Sequence, residues 1–161
     1  MKKLGVAALA AVGLSGCAIH QNVTPVQVRM EDRVICVIDN PVVRKGFSDG
    51  YKRALASKGY EVRTLPTVAL ITDCAVTSTY NATWRWDLAL YMAYAEIRVF
   101  SAGKQIGEAK YDATHGSGSM GKFIDADKKV VELVDQLFPG GAGAPVAPTA
   151  ATAATAASAP Q

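Results

Sequence analysis

Between Cys74 and Trp86 the chain alternates with a period of two. Cys74, Val76, Ser78, Tyr80, Ala82, Trp84 and Trp86 form one set, and Thr77, Thr79, Asn81, Thr83 and Arg85 lie between them. Successive side chains of a strand point to opposite faces, so this run predicts a long strand with an apolar face and a wet one. A second run follows: Tyr91, Ala93, Ala95, Ile97 and Val99 alternate with Met92, Tyr94, Glu96, Arg98 and Phe100. Ser101-Ala102-Gly103 is a short turn into a further strand at 104–112, which makes that pair a hairpin. The centre of the protein is therefore sheet.

The flanks supply the rest of the layers. Val34-Ile35-Cys36-Val37-Ile38 is a short β-branched run of the kind buried on both faces of a sheet. Asp39-Asn40-Pro41 ends it, with Asn40 suited to cap a helix and Pro41 to its first turn. Val43, Phe47, Tyr51, Ala54 and Leu55 recur at helical spacing, predicting a helix over 42–58 that stops at Lys58-Gly59. Gly46 and Gly50 each weaken it by about 1 kcal/mol against alanine, which points to close packing there. Tyr60, Val62 and Thr64 alternate with Glu61 and Arg63 in a further strand before Pro66. A last helix is expected near 121–138, with Ile124, Val131, Val134 and Phe138 on one stripe. The order β-α-β-β-β-β-α predicts an α/β (α+β) domain over residues 32–138. Its mixed sheet has four to five strands, and both helices lie on one face.

The N-terminus carries its own signal. Met1-Lys2-Lys3 precedes an apolar run from Leu4 to Leu14, about half the length that spans a bilayer, so residues 1–16 read as a cleaved secretion signal. Leu14-Ser15-Gly16-Cys17 resembles the lipobox of bacterial lipoprotein precursors: a branched apolar residue, two small ones, then cysteine. Diacylglycerol transfer needs that thiol as nucleophile, and the small residues fit the signal peptidase. The expected product carries an N-acyl diacylglyceride on Cys17, with palmitate-type chains holding it stably in the bilayer. No other cofactor is implied. Ala18, rather than Asp, after the cysteine implies export to the outer membrane, facing the periplasm. Loss of Lys2 and Lys3 drops the formal charge from +3 to +1, which argues against a nucleic-acid partner. Residues 17–31 read as the lipidated cysteine and a tether, or a first edge strand. Residues 139–161 change to Gly, Ala, Pro, Thr and Ser with no charge or aromatic, and predict a disordered tail or a glycosylated extension reaching the cell wall.

With Cys17 acylated, Cys36 and Cys74 remain in an oxidising compartment and read as one disulfide. It would close a loop of 38 residues, worth ~4 kcal/mol in the chain-entropy model. Free thiols, or a metal site with His115 or His20, are the rival readings; zinc sites usually show close ligand pairs, and none occurs here.

Catalytic constellations are weak. Gly116, Gly118 and Gly121 fit G-x-G-x-x-G, but no strand with a ribose-binding acid follows, so the segment reads as a loop. Asp125 and Asp127 favour a helix start rather than a catalytic pair. His115 has no acid or nucleophile partner, and Ser117 and Ser119 lack a nucleophile-elbow setting. No catalytic residue and no metal ligand is assigned. Trp84-Arg85-Trp86-Asp87 is the one candidate binding segment: its tryptophans form either a core layer under the helices or an exposed platform for a glycan or partner, with Arg85 and Asp87 at the rim.

Taken in order, several short motifs resemble the Sbal-type family of small proteobacterial lipoproteins over residues 30–138. They are the strand around Cys36, Asn40-Pro41 entering a helix, Cys74 opening a strand, Trp86-Asp87, Ala95-Glu96-Ile97-Arg98 and Gly107-Glu108-Ala109. The resemblance implies an α/β lipoprotein with a cysteine pair and brings no mechanism. The expectation is a non-enzymatic module that binds another envelope protein. Peptidoglycan or glycan binding through Trp84 and Trp86 is the first alternative, and a hydrolytic enzyme the second.

Overall fold

The computed structural model describes residues 19–27, 32–116 and 119–141. The predicted signal, Cys17, Ser117, Gly118 and the Ala/Pro/Thr tail past residue 141 lie outside them. The described chain is an α+β domain: a mixed six-stranded sheet with two helices. The strands are β1 (His20–Thr24), β2 (Val34–Ile38), β3 (Glu61–Leu65), β4 (Val76–Asp87), β5 (Ala89–Ser101) and β6 (Lys104–Asp112), in the spatial order β1-β6-β5-β4-β2-β3. The helices are α1 (Lys45–Ser57) and α2 (Ala126–Leu137), with a short 3-10 turn at Met120–Lys122.

The sheet has one strand more than the sequence reading gave, because residues 20–24 take the edge-strand alternative. They pair antiparallel with β6, His20 opposite Asp112 and Thr24 opposite Glu108. Val26 then turns under the sheet and donates its N–H to Leu137 O at 2.8 Å. Gly107 makes that path possible: a Cβ there would lie 2.2 Å from the Val26 side chain.

On the other flank β2 runs parallel to both β3 and β4. Ile35, Cys36 and Val37 are fully buried, as a strand covered on both faces requires. Cys36 and Cys74 form a disulfide, which ties β2 to the turn that leads into β4. Asn40 does not cap α1: its Oδ1 accepts from Val42 N–H and its Nδ2 donates to Tyr80 O, so Asn40-Pro41 makes a turn and the helix begins later, at Lys45.

The helices cover one face. Tyr51 and Leu55 of α1 and Val130, Leu133, Val134 and Leu137 of α2 meet Tyr80, Ile97, Val99, Ala109 and Tyr111 of the sheet. The buried stripe of α2 therefore differs from the one read in the sequence, and Val131 faces solvent. Asp125 caps the helix: its carboxylate accepts from the N–H groups of Asp127 and Lys128, starting it at 126 rather than 121. Within this layer Tyr51 Oη lies 2.7 Å from Ser78 Oγ, which donates to Arg98 O at 3.0 Å. Burial pushes the Tyr51 phenol well above its ordinary range, so it stays a neutral donor.

Candidate hairpin-tip site

The β4–β5 hairpin is longer than the helices that cover it. Tyr80 pairs with Ile97 and Ala82 with Ala95 under the helical layer. Beyond Thr83 the register shifts by one residue, so that Trp84 pairs with Met92 and Trp86 with Leu90. A bulge of this kind re-aims the strands beyond it. Trp84 and Met92 still touch the core: Phe47 meets the Trp84 ring edge-on at 6.2 Å, and the Arg44 guanidinium sits 5.3 Å over it. Two pairs further out, at Trp86–Leu90 on the same face, the cover ends. Trp86 is 74% exposed, Leu90 49%, and Leu88, at the apex, 84%.

Leu88 also holds φ at +60°, a left-handed conformation that a leucine adopts only at a cost. An apolar residue thus occupies the position where glycine or asparagine would be expected for the backbone's sake.

A second segment braces the base of the tip. Ala113 donates to Ala93 O, and Arg85 Nη1 donates to Thr114 O at 3.3 Å. The Lys122 ammonium, 3% exposed, pairs with the Asp87 carboxylate and lies 5.5 Å over the Tyr91 ring and 5.2 Å over that of Phe123. Met120, beside it, is 78% exposed. Ile19 packs against Gly116 and Gly121, so the start of the described chain lies in the same corner.

The structure thus divides the predicted Trp84-Arg85-Trp86-Asp87 segment. Trp84 belongs half to the core, Trp86 stands in solvent, Arg85 braces the loop and Asp87 holds Lys122. The core-layer alternative fails for Trp86 because α1 begins at Lys45 and does not reach past Trp84. Sequence reasoning missed Leu88, Leu90, Met120 and Lys122. The apolar Leu88-Ala89-Leu90 stretch between two strands, where a polar turn is expected, was the available signal; nothing marked Lys122.

The other predicted residues are scattered. His115 is exposed, with its Nδ1 3.1 Å from Thr114 Oγ1. Thr114 also donates through its N–H and hydroxyl to Asp112, whose carboxyl these bonds hold below the usual range. Asp125 is a helix cap, and Ser119 accepts from Gly121 N–H in the 3-10 turn. The bridge between Cys36 and Cys74 removes the thiols from any metal site, and among the described residues no three His, Cys, Asp or Glu side chains gather to hold an ion.

Two clefts remain. One of about 380 Å³ opens at the carboxyl ends of β2 and β3, where Tyr80 Oη accepts from Asn40 N–H and lies 3.1 Å from Asp39 and 3.0 Å from Ser48. Its lysines are already engaged, Lys45 with Asp49 at 2.8 Å and Lys52 with Asp39 at 3.8 Å. The other, about 300 Å³, lies on the uncovered sheet face between His20, Asn22, Lys110 and Asp112. Neither brings together a nucleophile, a base and an orienting group.

No protein-family model matches the chain, and no curated protein matches it in sequence. Among solved structures it is similar to a single-substitution variant of PelC from Paraburkholderia phytofirmans, a dodecamer. The TM-score is 0.52 at 10% identity, over 74% of this chain and 97% of that one. A second PelC dodecamer from the same organism aligns with a TM-score of 0.49 at 12% identity, over 74% and 94%. The first likeness fixes the fold.

Proposed function

We propose that this chain is a lipoprotein of the bacterial envelope whose domain works as a non-catalytic interaction module through its hairpin tip. Cys17, in the lipobox-like Leu14-Ser15-Gly16-Cys17, carries the acyl anchor, and Ala18 directs it to the periplasmic face of the outer membrane. The observation that carries the interaction reading is the tip itself: Trp86, Leu88 and Leu90 stand out of the fold with most of their surface in solvent. Contiguous apolar side chains on an exposed projection mark a contact site rather than a folding need.

The test is site-specific photocrosslinking in cells, with a benzophenone side chain at position 88 and, as a control, at Arg63 on the far edge strand. Crosslinks to an envelope component from position 88 alone support the proposal; equal or absent crosslinking from both sinks it. Self-association is the first protein contact to look for, since the neighbour of like fold is a dodecamer. A glycan-binding reading also has support, because an exposed tryptophan ring offers a stacking face. Cell-wall pull-down that is lost in Trp86→Ala would favour it over the first.

A further inference from the structure

We infer that the contact made by the hairpin tip is with the bilayer: the tip is a second, reversible membrane anchor beside the acylated cysteine. This rests on the lipoprotein reading and names the partner of the same site.

The argument is one of levels across the sheet. His20 pairs with Asp112, Asp112 with Tyr94, and Tyr94 with Thr83, so these four residues lie on one line at one end of four strands. β1 runs away from that end, and the residues before it leave there. Ile19 is held against Gly116 and Gly121 at the same end, and Cys17 is only two residues before it. Two residues reach at most ~7 Å. An anchor at Cys17 therefore has almost no tether, and it draws this end of the domain against the membrane.

From the same line the hairpin continues five residues, from Thr83 to Leu88. At the usual rise per residue that is a projection of ~16 Å. It is long enough to carry Leu88, Leu90 and Trp86 to the surface that the lipid occupies. Met120 stands on the neighbouring turn.

The composition of the tip fits a headgroup boundary rather than a dry protein pocket. Leu88 lies at its apex, the Trp86–Leu90 pair behind it, and Arg85 and Arg44 further back, with Asp87 neutralised by Lys122. Leucine enters the acyl boundary, the indole favours the interface, and guanidinium groups meet lipid phosphates. A leucine kept at a left-handed apex, where the fold gains nothing from it, fits the same reading.

The experiment uses the full chain, matured and purified from membranes. Trp84→Phe leaves Trp86 as the single tryptophan reporter, since the sequence has two. The protein is reconstituted in vesicles of phosphatidylethanolamine and phosphatidylglycerol, with or without chain-brominated lipid, and its acylation is read by mass. The inference expects a blue-shifted Trp86, strong quenching by brominated chains and a several-fold loss of acrylamide quenching. Leu88→Asp with Leu90→Asp should return Trp86 to water while the protein still floats with the vesicles. A mature chain without acyl mass removes the lipoprotein premise itself. An acylated, floating chain whose Trp86 stays red-shifted and open to acrylamide overturns the inference alone. Protection from acrylamide without quenching by brominated lipid also overturns it, because the tip is then covered by protein.

Discussion

The two halves of the β4–β5 hairpin, joined at a bulge where β5 changes the set of residues it turns to the helices, end in opposite environments. In the lower half Val76, Ser78, Tyr80 and Ala82 pair with Ser101, Val99, Ile97 and Ala95, and α1 and α2 cover the face they share. In the upper half Trp86 and its partner Leu90 carry apolar side chains on into solvent. The difference is not in the strands but in what lies over them: α1 starts at Lys45, and its Phe47 reaches Trp84 and no further. An apolar stripe is a demand for cover, and a fold that supplies half of it leaves the other half for something outside the chain. The lower end is also where the chain is tied covalently, by the Cys36–Cys74 bridge, whereas the upper end is held by non-covalent contacts, among them the Lys122–Asp87 pair, the Arg85–Thr114 contact and the Tyr91–Phe123 ring pair.

The largest effect expected is at the tied end. Replacing both Cys36 and Cys74 by serine should cost about 4 kcal/mol on the chain-entropy estimate, read as a lowered denaturant midpoint. Next, Ile97→Ala removes a fully buried side chain beneath the helices and should cost about 3 kcal/mol. Trp86→Ala, in the same hairpin, should change stability by less than ~0.5 kcal/mol, since the ring buries little surface. Similar losses from the two substitutions in chemical denaturation would erase the distinction between the halves.

Tyr94, opposite Thr83 where the halves meet, sharpens the comparison through pH. Burial and its hydrogen bond to Glu96 push its phenol up to about 12, from an ordinary value near 10. A raised folded pKa favours the folded state below pH ~10, and that contribution is lost as pH climbs toward 12. Several tyrosines should ionise late in phenolate absorbance, Tyr51 and Tyr94 among them, and the late component that Tyr94→Phe removes should come earlier in Glu96→Gln. If the late titration survives in Glu96→Gln, the carboxylate is not what raises it.

Much of this fold was legible because its signals are local. The periods of two over Val76–Trp86 and over Ala93–Val99, the β-branched run at Val34–Ile38 and the spacing of Phe47, Tyr51, Ala54 and Leu55 each specify an element by themselves. The cysteine pair was legible from the count of cysteines, given the expectation of an oxidising compartment. What escaped depends on where elements stop. Val130 and Val131 both fit a helical stripe through Val134, and only packing against the sheet separates them. Residues 20–24, polar but for Val23, become a strand only because the edge of β6 is open to them. The two tryptophans stood equal in the sequence and were separated only by how far α1 reaches. Lys122 was illegible altogether, since its burial comes from Asp87, Tyr91 and Phe123, residues brought to it by a loop.

The smallest predicted effect has an unusual sign. Leu88 holds φ at +60° while remaining almost wholly in solvent, so the folded domain bears the conformational cost and gains little burial in return. Glycine adopts that conformation freely, although it gives up more chain entropy on folding. Leu88→Gly should therefore leave the purified protein as stable as before or firmer by ~0.5 kcal/mol, where a leucine needed by the core would cost several times that in the other direction. A clear loss of stability would mean that the apex packs into the fold and that the upper half is not the exposed region described. A neutral or stabilising result, together with loss of contact in the photocrosslinking or vesicle measurements, would place the reason for Leu88 outside the folded chain. The apex would then be set by what the domain touches, at a small expense in the stability of the domain itself.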